Sequence, residues 1–186
     1  MIIDLFRQGL EPKEIIYYLI IILFALMLSF SIHEYMHAAV AVWLGDPTPK
    51  NMGRLTLNPI AHLDPAGTFL LLVAGFGWGK PVMYNPTNLH RFKSSRLMNI
   101  MVHLAGVTGN FILGYFAYVL YLLFSGLAIK LPGMAIAFTA LGDAFSYTYV
   151  FSMMLLAFNL LPIPPLDGFH VLQECLPYKV RQSKAF

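Results

Sequence analysis

An α-helical polytopic membrane protein is the fold class that three features of this 186-residue chain predict. Hydrophobic residues make up 58% of it and charged residues only 11%, whereas a soluble domain carries about 25% charged residues. Three apolar runs each exceed the roughly 20 residues that a spanning helix needs. The lysines and arginines fall between and beyond those runs rather than within them. In detail the expectation is a single domain: a three-helix core, a re-entrant segment and a short β element after the first helix. So few charges cannot coat a water-facing surface, and intrinsic disorder and a disulfide scaffold are excluded as well, the latter because Cys175 is the sole cysteine.

The first run, residues 15–44, is apolar through Phe30. It then carries Ser31, His33, Glu34 and His37 before turning apolar again, and Gly45, Asp46 and Pro47 end it. Asp4, Glu11 and Glu14 precede it and no small-residue cleavage site follows, so it does not resemble a removable signal peptide. Between Gly53 and Asn58, Arg54, Thr56 and Asn58 alternate with Leu55 and Leu57, a short strand signal closed by Asn58-Pro59. Residues 67–78 are apolar but too short to span with ease, and glycines 75, 77 and 79 mark their end, so a re-entrant element is expected there. Residues 97–127 and 134–161 supply the second and third spanning helices. Pro162, Pro164 and Pro165 interrupt the chain after the third, and a basic tail follows over 178–186.

With 67–78 re-entrant, loop 45–97 and the tail hold nine of the twelve lysines and arginines, and the other side holds Arg7, Lys13 and Lys130. The positive-inside rule then puts loop 45–97 in the cytosol of a multi-pass cell-membrane protein. If 67–78 spans instead, the count is the same with a cytosolic N-terminus. The net charge of +3 is thus explained by orientation in a bilayer. No nucleic-acid-binding signature is present.

His33-Glu34-Tyr35-Met36-His37 matches the pattern H-E-x-x-H. Positions four apart on a helix lie one turn along the same face, so both imidazoles reach one zinc ion. Zinc lowers the pKa of a water it holds to about 7, and a carboxylate such as Glu34 takes the proton. From this composition the pattern is expected by chance only about 0.004 times, and ionisable groups in an apolar helix are costly, so two merely satisfied histidines explain it poorly.

A catalytic zinc needs a third protein ligand and one open position. His62 and His90 lie in loops, His103 near one end of its helix, Asp143 near a helix start, and Asp167 in the first turn that Pro164-Pro165 opens. On residue chemistry alone Asp167 is better explained as a plain helix-start acid than as a ligand.

The H-E-x-x-H stretch, together with Asn159-Leu160-Leu161-Pro162-Ile163-Pro164-Pro165-Leu166-Asp167-Gly168, resembles the site-2 protease family of intramembrane zinc metalloproteases. So do Gly53 to Pro59, Asp64 to Thr68, Gly77 to Val82 and Ala105 to Asn110, and the likeness runs from about residue 29 to 176. It is closest to the compact prokaryotic members without PDZ or CBS domains. The resemblance implies one zinc per chain held by His33, His37 and Asp167, with Glu34 as general base. It suggests Asn159, and more weakly Asn110, as polar groups facing substrate or oxyanion. The implied partners are a transmembrane protein substrate and the bilayer, with a homo-oligomer left open and the site nearer the cytosolic face. An unwound substrate would add to the edge of the strand at Arg54, Thr56 and Asn58. Two departures stand out: Val107 occupies a position where the family often has proline, and the further hydrophobic helix of many compact members is absent before Phe186. A non-enzymatic alternative is a divalent-metal transporter. Another is a structural zinc site with His170 as fourth ligand.

Overall fold

A computed structural model describes residues 9–74 and 77–177. Three long helices dominate it. Helix α1 (Pro12–Leu44) starts with Pro12 at its first position, where the Glu11 amide donates to Glu14 Oε2 at 2.9 Å, and it stops at Gly45 in the left-handed conformation. Helix α2 (Pro65–Ala74) is short. Helix α3 (Ser95–Lys130) is capped by the Ser94 hydroxyl, which accepts from the Leu97 amide. Helix α4 (Ala135–Asn159) precedes the proline-rich break, and helix α5 (Asp167–Cys175) follows it. Helices α1, α3 and α4, the last counted from Pro132, are long and apolar enough to cross a membrane. They cover the three predicted runs closely. The tail over 178–186 lies outside the described residues.

The long helices pack pairwise, and α5 folds back against α3. Toward the α1 C-terminus the core is Ala41, Leu44, Leu89, Met98 and Val102. Toward its N-terminus Ile15 and Ile22 pack with Tyr18, Tyr147 and Phe151. Polar clamps join α1 to α4. Ser29 Oγ lies 3.0 Å from Ser152 Oγ, both fully buried, and Tyr17 donates to Asp143 Oδ2 at 2.7 Å. Such bonds hold helices together where the surroundings offer no water.

The expected β element is not a strand. Gly53 to Asn58 is irregular, and the sole β pairing among the described residues is an isolated bridge between Leu63 and Gly79. The alternation of side chains is real, but the backbone partners are not those of a ladder. The Arg54 amide donates to Pro49 O at 2.8 Å, Thr56 O accepts from His62 Nε2 at 2.8 Å, and the Asn58 carboxamide caps the 3₁₀ turn Pro59–Ala61. The Arg54 guanidinium is spent on the Ala61 carbonyl. These groups find their partners within the loop rather than across a ladder.

Helix α2 has ten residues, about 15 Å of rise, half of the hydrocarbon thickness. The chain leaves it to come back to its own start, where Lys80 N donates to His62 O at 2.7 Å beside the Leu63–Gly79 bridge. Beyond it, Asp46 gathers the loop. Fully buried, it accepts from the Thr48 amide (3.1 Å) and hydroxyl (2.6 Å), the Asn85 amide (2.6 Å) and the Asn88 carboxamide (2.8 Å). Burial pushes its carboxyl up, but these donors outweigh burial and hold it below the usual aspartate value.

Candidate metal centre

His33 and His37 lie one turn apart on the buried face of α1. Asp167 reaches them from the first turn of α5. The proline break stops α4, and the turn at Leu160-Leu161 brings the chain back under it. Gly168 makes that return possible: a Cβ there would stand 2.5 Å from the Leu160 carbonyl carbon and 2.8 Å from Leu161 O. Gly106 does the same for α3. A Cβ at 106 would stand 2.6 Å from His33 Cε1 and overlap His37 Nε2.

The three donor atoms form a nearly equilateral triangle. His33 Nε2 and His37 Nε2 are 3.1 Å apart, and each is 3.3 Å from Asp167 Oδ2. A tetrahedral cation with bonds of about 2.0–2.1 Å separates its ligand atoms by about 3.3–3.4 Å. The protonation pattern fits too. His37 Nδ1 lies 2.7 Å from Val102 O, a carbonyl that can only accept, so the proton sits on Nδ1 and Nε2 presents a lone pair. Asn110, fully buried, stands with its amide 3.3 Å from His33 Nδ1. Turning that amide end for end lets Oδ1, otherwise without a partner, accept a proton from His33 Nδ1. Both imidazoles then aim lone pairs at a carboxylate oxygen that is itself buried and has no hydrogen-bond partner. Three such atoms at this spacing repel one another unless a cation lies between them, so the residues fit zinc.

Among the described residues, these are the only three His, Cys, Asp or Glu side chains gathered closely enough to hold an ion. Of the other sequence candidates, Asp143 is held by Tyr17, and His62 is buried against Thr56 O. His90 is exposed, with Nδ1 bonded to Asn88 O at 2.7 Å. His170 is not a fourth member of the donor set. Its ring stacks on His103, centroids 4.7 Å apart.

A cavity of about 170 Å³ opens onto the triad and Glu34. Glu34 is 7% exposed, and its Oε2 accepts from the Val82 amide at 3.0 Å, which fixes the carboxylate beside the metal position. Asn159 lines the same cavity, its Nδ2 donating to Leu155 O at 2.9 Å. Asn110, Arg54, Thr56 and Asn58 do not line it. The far wall is formed by residues that sequence reasoning left out of the site: Pro81, Val82 and Tyr84 from the loop, and His103 from α3. Burial, with the Glu174, Asp167 and Asp46 charges, pushes the Tyr84 hydroxyl up to about 12, so it stays protonated.

The model of peptidase family M50 matches residues 21–185. A Bacillus subtilis (strain 168) protein named "Putative zinc metalloprotease YwhC" is 43% identical over 170 residues, covering 91% of this chain and 74% of its own. "Putative zinc metalloprotease Rip2" of Mycolicibacterium smegmatis is 28% identical over 186 residues, covering 95% of this chain and 65% of its own. Its namesake in Mycobacterium tuberculosis (H37Rv) is 28% identical over 164 residues, covering 86% and 58%. The chain thus spans less than two thirds of both Rip2 relatives. No solved structure matches it.

Proposed function

The chain belongs to peptidase family M50, the site-2 protease family, and is a zinc metalloprotease; from that premise we propose that it hydrolyses peptide bonds in or beside transmembrane helices of other membrane proteins. The observation that carries this reading is a three-donor cradle beside a fixed carboxylate, set among helices apolar enough to span a bilayer. His33, His37 and Asp167 hold the zinc, which when bound acidifies water and polarises the scissile carbonyl. Glu34 accepts the proton of the attacking water and returns it to the leaving amine. Val82 keeps the carboxylate from swinging away between those two transfers. One N–H of Asn159 is used by Leu155 O, and the other is available to a developing oxyanion. Asn110 stands behind His33 and orients it, rather than meeting substrate.

The substrate role expected of Arg54, Thr56 and Asn58 passes in this reading to the irregular stretch 80–84, whose Pro81, Val82 and Tyr84 face the cavity. A helical substrate has to unwind there before its carbonyl reaches Glu34. As for topology, the three long helices cross a cell membrane in one domain and 67–78 re-enters. The Leu63–Gly79 bridge supports re-entry, because a crossing segment would carry its ends about 30 Å apart. The site then opens toward the cytosolic side with loop 45–97. Family membership sets the metal-transport alternative aside.

The test is Glu34→Gln with a transmembrane peptide substrate in detergent. Cleavage falls at least 100-fold while bound zinc is retained. Undiminished cleavage would remove Glu34 from its role.

A further inference from the structure

A second polar chain approaches the metal triad through the 80–84 stretch and α3. His103 Nδ1 lies 3.9 Å from Asp167 Oδ1, the carboxylate oxygen turned away from His33 and His37. His103 Nε2 lies 3.0 Å from the Tyr84 hydroxyl. Asn99 Oδ1 is a second, longer acceptor for the Tyr84 hydroxyl at 3.4 Å, and Asn99 Nδ2 donates to Glu174 Oε1 at 2.9 Å. The ring of His103 is held on two faces, edge-on by Tyr84 at 5.7 Å and stacked by His170 at 4.7 Å with 16° between planes. A histidine of α3 gripped by two other elements, the 80–84 stretch and α5, is not there to cap its own helix.

We propose that His103 is a positioning residue for the zinc site: its Nδ1–H holds Asp167 Oδ1, so that Oδ2 alone is presented to the metal, and Tyr84 enforces the tautomer by giving its one O–H proton to Nε2 at 3.0 Å in preference to Asn99 Oδ1 at 3.4 Å. The opposite tautomer would aim the Nδ1 lone pair at a carboxylate oxygen. The 3.9 Å separation is about 1 Å beyond a hydrogen bond, so His103 and α5 have to close by that amount in the metal-bound protein. Partners that orient a metal ligand in this way are typically worth 10- to 100-fold in metal affinity. The inference rests on the zinc reading of His33, His37 and Asp167.

The side chains of asparagine and glutamine separate the two nitrogens of the ring. An asparagine amide occupies the place of Nδ1, and a glutamine amide that of Nε2. Zinc affinity of the full chain in detergent is measured by competition with a chromogenic chelator for the wild type, H103A, H103N, H103Q, Y84F and H33A, with circular dichroism reporting helix content. The cobalt-substituted protein gives a visible spectrum of the site without any turnover. H103A is expected to bind zinc 10- to 100-fold more weakly, H103N to recover most of that loss, H103Q to recover none, and Y84F to show a smaller loss. The cobalt bands of H103A should shift while those of H103N stay near the wild type. Wild-type affinity in H103A, or equal recovery by both amides, would overturn the proposal. So would loss of cleavage at unchanged affinity, which would make His103 a substrate contact. Should H103A not fold, the two amide variants decide the matter. The control is H33A: if it retains zinc, the metal site itself is misassigned, whereas zinc lost in H33A and kept in H103A refutes this inference alone.

Discussion

Gly106→Ala adds one methyl group at the closest approach of α3 to the metal ligands. That methyl would stand 2.6 Å from His33 Cε1 and 2.8 Å from His33 Nδ1, and would overlap His37 Nε2. Non-bonded carbon contacts settle at about 3.5–4.0 Å, so the rings or the helix must give by about 1 Å. Neither moves freely. His37 is tied to Val102 O at 2.7 Å and His33 faces Asn110, both on α3, so driving the helices apart breaks the bonds that aim the two lone pairs. Misplacing reacting groups by about 1 Å costs about 100-fold in rate, and losing the orienting partners costs about 10- to 100-fold in metal affinity. Overpacking takes about 1–3 kcal/mol from stability, offset in part by the helix preference of alanine over glycine, about 0.5–1 kcal/mol. The assay is chelator competition for zinc alongside cleavage of a transmembrane peptide. Gly126→Ala is the internal control: it lies on the same helix with no atom within 4 Å of its added methyl, and should leave zinc binding unchanged while raising stability slightly. Wild-type zinc affinity in Gly106→Ala would refute the packing that brings α3 onto the ligands.

Gly168→Ala meets backbone atoms of Leu160 and Leu161, which cannot rotate away, so it should lift α5 and withdraw Asp167. Zinc content after gel filtration should fall well below one per chain with helix content unchanged, and full occupancy would contradict this. Asp46→Asn should lower stability by about 2–3 kcal/mol at neutral pH, because four donors lose a charged acceptor. The folded carboxyl sits below its ordinary 3.8, so its contribution is complete above about pH 4 and fades as the pH falls through the folded value. The gap between the thermal midpoints of the two proteins should therefore narrow as the pH falls below about 4, and a constant gap from pH 7 to 3 would rule out the charge as its cause.

The helices were legible in hydropathy because a bilayer leaves so little choice of backbone. His33, Glu34 and His37 were legible because four residues of helix bring two rings to one face. Asp167 needed the resemblance: a turn at a proline break carries no sign of the helix it folds back to. The alternation at Arg54, Thr56 and Asn58 could not say whether a partner strand exists, and the partners turned out to be Pro49, His62 and Ala61. Asn110 carried a usable signal, since it lies four residues after Gly106, on the same face of α3. A glycine that lets two helices touch puts its i+4 neighbour at that contact as well. His103 was legible only as one of several histidines, and its pairing with Tyr84 not at all, for their meeting depends on how a loop without periodicity settles against the start of α3.

Zinc-edge X-ray absorption of the purified protein examines the metal centre without recourse to substrate. One zinc per chain is expected, with two imidazole nitrogens and a carboxylate oxygen at about 2.0–2.2 Å, and with that signature lost in Asp167→Ala. A sulfur neighbour, a third imidazole, or an unchanged spectrum in Asp167→Ala would contradict a site built from His33, His37 and Asp167.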